Sequence, residues 1–123
     1  MSVAEIANDL VAMCRQGKNL DAIAKYYSDD IVSVESGSAP GMPAEMKGID
    51  AITQKNKWWL DNHEIISANA IGPFLGDNQF AVEWKYEVKQ KATGNNMQMD
   101  EMALYTVEGG KIVHEHFFYN MGT

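Results

Sequence analysis

The last third of the chain constrains the fold most, because from Phe80 to Asn120 it reads as three consecutive long strands joined by short turns. Phe80, Val82, Trp84, Tyr86 and Val88 alternate with Ala81, Glu83, Lys85, Glu87 and Lys89, the pattern of a half-buried strand. Thr93-Gly94-Asn95-Asn96 supplies one turn, and Gly109-Gly110 the next, within MQMDEMALYTVEGGKIVHEHFFYN. A Gly-Gly loop favours the primed turns that match strand twist. Carried along both strands, it pairs Glu108 with Lys111, Thr106 with Val113, Leu104 with Glu115, Met102 with Phe117 and Asp100 with Tyr119. Side chains alternate between faces. This register therefore sets Asp100, Met102, Leu104, Glu115, Phe117 and Tyr119 on one face, and Glu101, Ala103, Tyr105, His114, His116 and Phe118 on the other. Acids among aromatics on the first face predict a small-molecule pocket.

Upstream, Val3, Ile6, Leu10 and Met13 fall at helical spacing over residues 3–16, ending at Gly17. Asn19 is expected to cap a second short helix with Leu20, Ile23, Ala24 and Tyr27 on its apolar face. Ser28-Asp29-Asp30 stops it, and Ile31 to Ser36 reads as a short β-branched strand. GSAPGMP, residues 37–43, is a loop; its glycine spacing neither follows a parallel strand nor opens a helix, so it predicts no phosphate site. From Lys47 a third helix places Ile49, Ile52, Asn56, Trp59, Leu60 and His63 along one stripe. A strand from Glu64 to Ile71 breaks at Gly72-Pro73.

Three helices with one interposed strand, then four antiparallel strands, predict an α+β fold: a curved antiparallel sheet with helices packed on one side. The final hairpin carries apolar side chains on both faces, so its second face should also be covered. A second copy is the expected cover, giving a homodimer.

At 123 residues the chain is expected to be one domain, residues 1–123, with a core of its own. Its apolar share of 46% and charged share of 22% suit a soluble globular protein. A formal net charge of −7 argues against nucleic acid and anionic membranes as partners. Cys14 has no second cysteine to pair with. The start, MSVAEIANDLVAM, lacks a basic region and carries acids, so no signal peptide is expected. With no apolar run of membrane-spanning length, the expected location is the cytoplasm.

YYSDDIVSVES after the second helix, KGIDAI opening the third, and the ending GGKIVHEHFFY resemble, in that order and spacing, the nuclear-transport-factor-2-like superfamily. The resemblance is to its SnoaL-like polyketide cyclase and ketosteroid isomerase branch, over nearly the whole chain. It implies a cystatin-like cone, a strongly bent sheet wrapped around three helices with an internal pocket, and pairing through the outer face of the sheet. It implies a general-base carboxylate at Glu35. Pocket residues are implied at Phe80, Val82, Trp84 and Tyr86, at Asp100 and Met102, and at Glu115, Phe117 and Tyr119. The isomerase oxyanion donors, a Tyr and a protonated Asp, fall at Leu10 or Val11 and at Met102, which cannot donate. The ketosteroid isomerase mechanism is therefore not expected.

Alternation leaves two readings for Glu35, since the valines of Ile31-Val32-Ser33-Val34-Glu35 suit a core face equally well. The expected catalytic set is Glu35 as base, Asp100 with Tyr119 as acid or oxyanion partner, and Glu115 as a second polar anchor. Trp58 should edge the pocket mouth; His63, at the end of the third helix, is counted with the ligand-binding residues, though a partly buried His capping the helix is the preferred reading over a catalytic one. His114, His116 and Glu101 share the opposite face in this register, where two His at i and i+2 with a carboxylate suit a metal; mutual pairing at a dimer surface is preferred, so no metal and no cofactor are expected. If the two faces are inverted, these three become the pocket acid–base set, with Tyr105 alongside. The expected function is cofactor-free isomerisation, cyclisation or dehydration of an apolar or aromatic carbonyl compound, the alternative being a non-catalytic ligand-binding or dimerisation module.

Overall fold

The first helix, α1 (Val3–Arg15), opens on a capping box. The Ser2 hydroxyl accepts from the Glu5 N–H at 3.1 Å, and the Glu5 carboxylate accepts from the Ser2 N–H at 3.1 Å, which satisfies two otherwise orphaned donors. The computed structural model describes residues 1–38 and 42–120, so the middle of the loop expected at 37–43 lies outside the described residues. α1 buries Ile6, Ala7, Leu10 and Val11. The second helix, α2 (Asn19–Tyr26), buries Ala22, Ile23 and Tyr26. Asn19 is its first residue rather than its cap, and Ala24 is exposed. Tyr27 leaves the helix by turning extended and starts β1 (Tyr27–Val34).

A three-residue strand that the sequence did not suggest, β2 (Glu45–Lys47), pairs with β1 through Val32↔Lys47 and Val34↔Glu45. Gly48, at φ 91°, then turns the chain into α3 (Ile49–Asn62), two residues later than expected. His63 begins β3 (His63–Leu75), followed by β4 (Gln79–Gln90), β5 (Asn96–Glu108) and β6 (Lys111–Phe118). β3 does not break at Gly72-Pro73; its pairing is irregular between Ile71 and Phe74 but resumes. A proline is tolerated there because β3 is an edge strand.

The open six-stranded sheet has the order β2-β1-β6-β5-β4-β3 and is antiparallel except where β1 runs parallel to β6. The helices cover one face, with α1 against β3 and β4, α2 against β1, and α3 against β1 to β3. Phe80, Val82, Trp84 and Val88 of β4 point into the core, as their alternation predicts.

The final hairpin corrects the expected register. Gly109 and Gly110 both take positive φ and Glu108 faces Lys111, so the turn is as read. One step further, Val107 pairs with Ile112 and Thr106 with His114, leaving Val113 as an extra residue in β6. Such a bulge shifts every later pairing by one, and a one-residue shift exchanges the faces of one strand relative to its partner. Tyr105 thus faces Glu115, Ala103 faces Phe117 and Met102 faces Phe118. The cause is burial: Val107, Tyr105 and Ala103 all enter the core, as does Ile112, and only a bulge lets Glu115 follow Ile112 inward. Inner-face residues now run Phe80, Tyr105, Glu115, Ser33 across four strands.

Candidate active site

A cavity of about 340 Å³ lies between the inner face of the sheet and the three helices. Three carboxyls, Glu35, Glu101 and Glu115, and one ammonium, Lys55, line it among aromatic side chains. β1 supplies Ser33 and carries the chain on to Glu35, on the same face two residues later, so the valines point outward and Glu35 inward. Lys55 comes from α3, one helical turn from the buried Ile52, which explains why a lysine points into an apolar space.

At the enclosed end, Glu115 is 1% exposed and fully engaged. The Tyr27 phenol donates to one of its oxygens, and the Ser33 hydroxyl donates to the other at 2.9 Å. Ser33 in turn accepts from Lys55 Nζ at 3.1 Å. Burial raises the pKa of Glu115, with the Tyr27 bond, the Lys55 charge and the Ser33 bond opposing. Tyr105, stacked on Phe80 at 4.7 Å, accepts from Trp84 Nε1 at 3.1 Å. Burial next to Glu115 raises both Tyr27 and Tyr105 well above the usual phenol range, so both remain neutral donors. Cys14 is pushed up to about 12, mainly by burial, and is an inert wall thiol.

Toward the open end, marked by the half-exposed Trp58, Lys55 Nζ also bonds Glu35 Oε1 at 2.9 Å. Burial, followed by the neighbouring Glu35 charge, pushes the Tyr119 phenol up to about 12. Glu101 stands opposite Trp84 in the β4–β5 pairing. Among the described residues its carboxyl forms no hydrogen bond and no ion pair. Burial, then Glu35 and Glu115, raise its pKa to about 7, with Lys55 opposing. A carboxyl held there exchanges its proton near neutral pH, the property a general acid or base requires.

Of the residues expected from sequence, Glu35, Glu115 and Tyr119 line this cavity, as do Trp58, Trp84, Tyr86 and Phe117. The bulge moves Asp100 and Met102 to the outer face, where Asp100 lies 3.7 Å from Lys85 and Met102 is 40% exposed. Phe80 and Val82 lie in the core rather than at the cavity wall. His63 does not line the cavity; its Nδ1 donates to the Trp59 carbonyl at 2.8 Å and its ring stacks on Trp59. His114 and His116 stay on the outer face while Glu101 is inside, so the three do not come together. Glu101 and Tyr105 line the cavity, as the inverted-face alternative has them, without the two histidines it would bring along, while Lys55, Ser33 and Tyr27 were missed. Two spacings pointed to a pair of them: Lys55 is i+3 from Ile52 and i−4 from Trp59 on the named helix stripe, and Ser33 is i−2 from Glu35.

A family model described as a SnoaL-like domain matches residues 1–119. A Mesorhizobium loti protein, provisionally named a SnoaL-like polyketide cyclase (carbohydrate phosphatase), is 44% identical over 97% of this chain and all of its own, with a TM-score of 0.90. Two more distant structures share the fold. A Catenulispora acidiphila protein with a ketosteroid isomerase-like fold, solved with trimethylamine, is 16% identical over 98% of this chain and 88% of its own, with a TM-score of 0.73. A Xanthomonas campestris protein with a cystatin-like fold is 16% identical over 96% and 90%, with a TM-score of 0.77. No curated protein sequence matches the chain.

Proposed function

The chain belongs to the SnoaL-like domain family, and from that premise we propose that it is a cofactor-free isomerase- or cyclase-type enzyme moving a proton on a small apolar or aromatic carbonyl compound. The observation that carries this reading is Glu101, a cavity carboxyl without a partner among the described residues and with a pKa near neutral. Glu35, the base the resemblance implies, is paired with Lys55, which leaves Glu101 to take the proton. In the reaction a C–H bond next to the carbonyl breaks, its proton passes to Glu101, and the electron pair moves onto the carbonyl oxygen as an enolate. The third N–H of Lys55, beyond those given to Glu35 and Ser33, is left to stabilise this anion. Returning the proton to a different carbon isomerises the substrate; attack of the enolate carbon on a second carbonyl closes a ring, and the new alkoxide takes the proton. Glu115 holds the enclosed end rigid through Tyr27 and Ser33.

The open volume favours a ligand over a scaffold whose interior is filled by its own side chains. Deuterium exchange at the carbon next to the carbonyl, followed by NMR over a panel of aryl ketones and β-diketones, tests the reading. The wild type should accelerate exchange for at least one member, and E101Q should lose about 100-fold of that rate or more. No acceleration by the wild type, or equal rates in E101Q, would refute it.

A second copy is proposed on the outer face of the sheet. There Phe74, Ala81, Leu104, His116 and Val34 form one row across five strands, beside Ile71, Glu83, Met102 and Phe118. Phe74, Ile71, Met102 and Phe118 are all at least 40% exposed. Light scattering should give a dimer for the wild type and a monomer for M102E; a wild-type monomer would reject it. Among the described residues no helix is long and apolar enough to cross a membrane, and the cytoplasm is the proposed location.

A further inference from the structure

Resting on the acid–base reading of the same cavity, we infer that the substrate carries a positively charged nitrogen, seated between the aromatic wall of Trp59, Trp84 and Tyr86 and the carboxyl of Glu101. Charge points the same way. The cavity's lone ammonium among the described residues, Lys55, has its charge paired with Glu35, so a ligand that is anionic in its ground state would meet no unpaired cation there. Glu115 is likewise satisfied by Tyr27 and Ser33. Glu101 remains as a partly desolvated carboxyl with no donor among the described residues, and a charge in that setting is stable only with a counter-charge.

The walls beside it suit an organic cation. Trp84 faces Glu101 across the strand pair; Tyr86, stacked with Trp84 at 6.3 Å, lies 6.1 Å from Trp59. Aromatic faces attract a cation more strongly once water is removed. The groups that act on Glu101 from neighbouring elements are Glu35 and Tyr119, Glu115 of β6, Lys55 of α3 and Tyr86 of β4. Only Lys55 among them is positive. A cationic substrate would therefore hold Glu101 as the carboxylate in the complex, the form that accepts a proton from the carbon beside the carbonyl.

The probes are choline and its neutral isostere 3,3-dimethylbutanol, titrated against the whole protein by tryptophan fluorescence and calorimetry. Choline should bind about tenfold or more tightly above the Glu101 midpoint of about 7. That preference should shrink toward unity below the midpoint, and in E101Q at any pH. Equal binding of the two probes, no binding of choline, or a preference unchanged by E101Q would overturn the inference. The pH series on the wild type decides the matter even where E101Q folds poorly. Equal binding alongside continued deuterium exchange would reject the charged substrate and leave the acid–base reading intact; choline preference without exchange for any ketone would do the reverse.

Discussion

Glu115 and Glu101 face one cavity from adjacent strands, yet their surroundings differ in every respect that matters for chemistry. Glu115 is buried, takes hydrogen bonds from Tyr27 and Ser33, and has no further role open to it. Glu101 is less buried and has no donor among the described residues. Burial raises both pKa values, but only at Glu115 do hydrogen bonds repay part of the cost. The lesson is that an acid's role follows from its partners: the satisfied carboxyl organises the site and the unsatisfied one is available to react.

The largest expected effect separates Glu101 from its sequence neighbour. E101Q should lower turnover about 100-fold or more, while D100N, on the solvent side, should change it by no more than about 0.5 kcal/mol. Equal losses would mean that the bulge at Val113 does not hold in solution. Next comes stability. E115L leaves the Tyr27 and Ser33 hydroxyls without an acceptor and should cost roughly 3 kcal/mol in urea denaturation, whereas E101L strands no donor and should cost far less. Similar losses from the two would erase the distinction between them.

A gentler probe is pH. The folded chain holds the Glu101 proton more tightly than the unfolded chain does, so the stability this proton provides is present below pH 4.5 and is lost as pH rises to about 7. E101Q should flatten that fall, measured as midpoint of denaturation against pH; identical slopes would contradict the raised pKa. The smallest shift is in the pH profile of K55M, a variant whose turnover itself should fall with the lost N–H donor. Removing the ammonium that opposes the Glu101 shift should move the midpoint of the rate profile upward by less than about one unit.

Much of the fold was legible because β4 and the Gly-Gly turn obey simple alternation and turn rules. The bulge was not, since a hairpin can slip by one residue without any change in turn chemistry. One partial signal was present: Ala103, Tyr105 and Val107 are uniformly apolar, while the opposite face mixes Met102 and Leu104 with Asp100, Thr106 and Glu108. Reading β5 by itself, ahead of its register to β6, would have placed Glu101 inside. β2 escaped because three residues, Glu45-Met46-Lys47, carry no strand pattern and are held by pairing with β1. Of the site, Glu35, Glu115 and Tyr119 were found; Lys55 was passed over because long cationic side chains on a helix are usually solvated at their tips.

The Glu101 carboxyl decides whether this cavity can move a proton at neutral pH. Carbon-13 NMR of the glutamate carboxyls, with Glu101 assigned by its disappearance in E101Q, reads its titration directly. A midpoint of about 7 is the result predicted. A midpoint at the ordinary 4.5 would show a solvated carboxyl with no special reason to exchange protons at neutral pH, and would contradict the central claim.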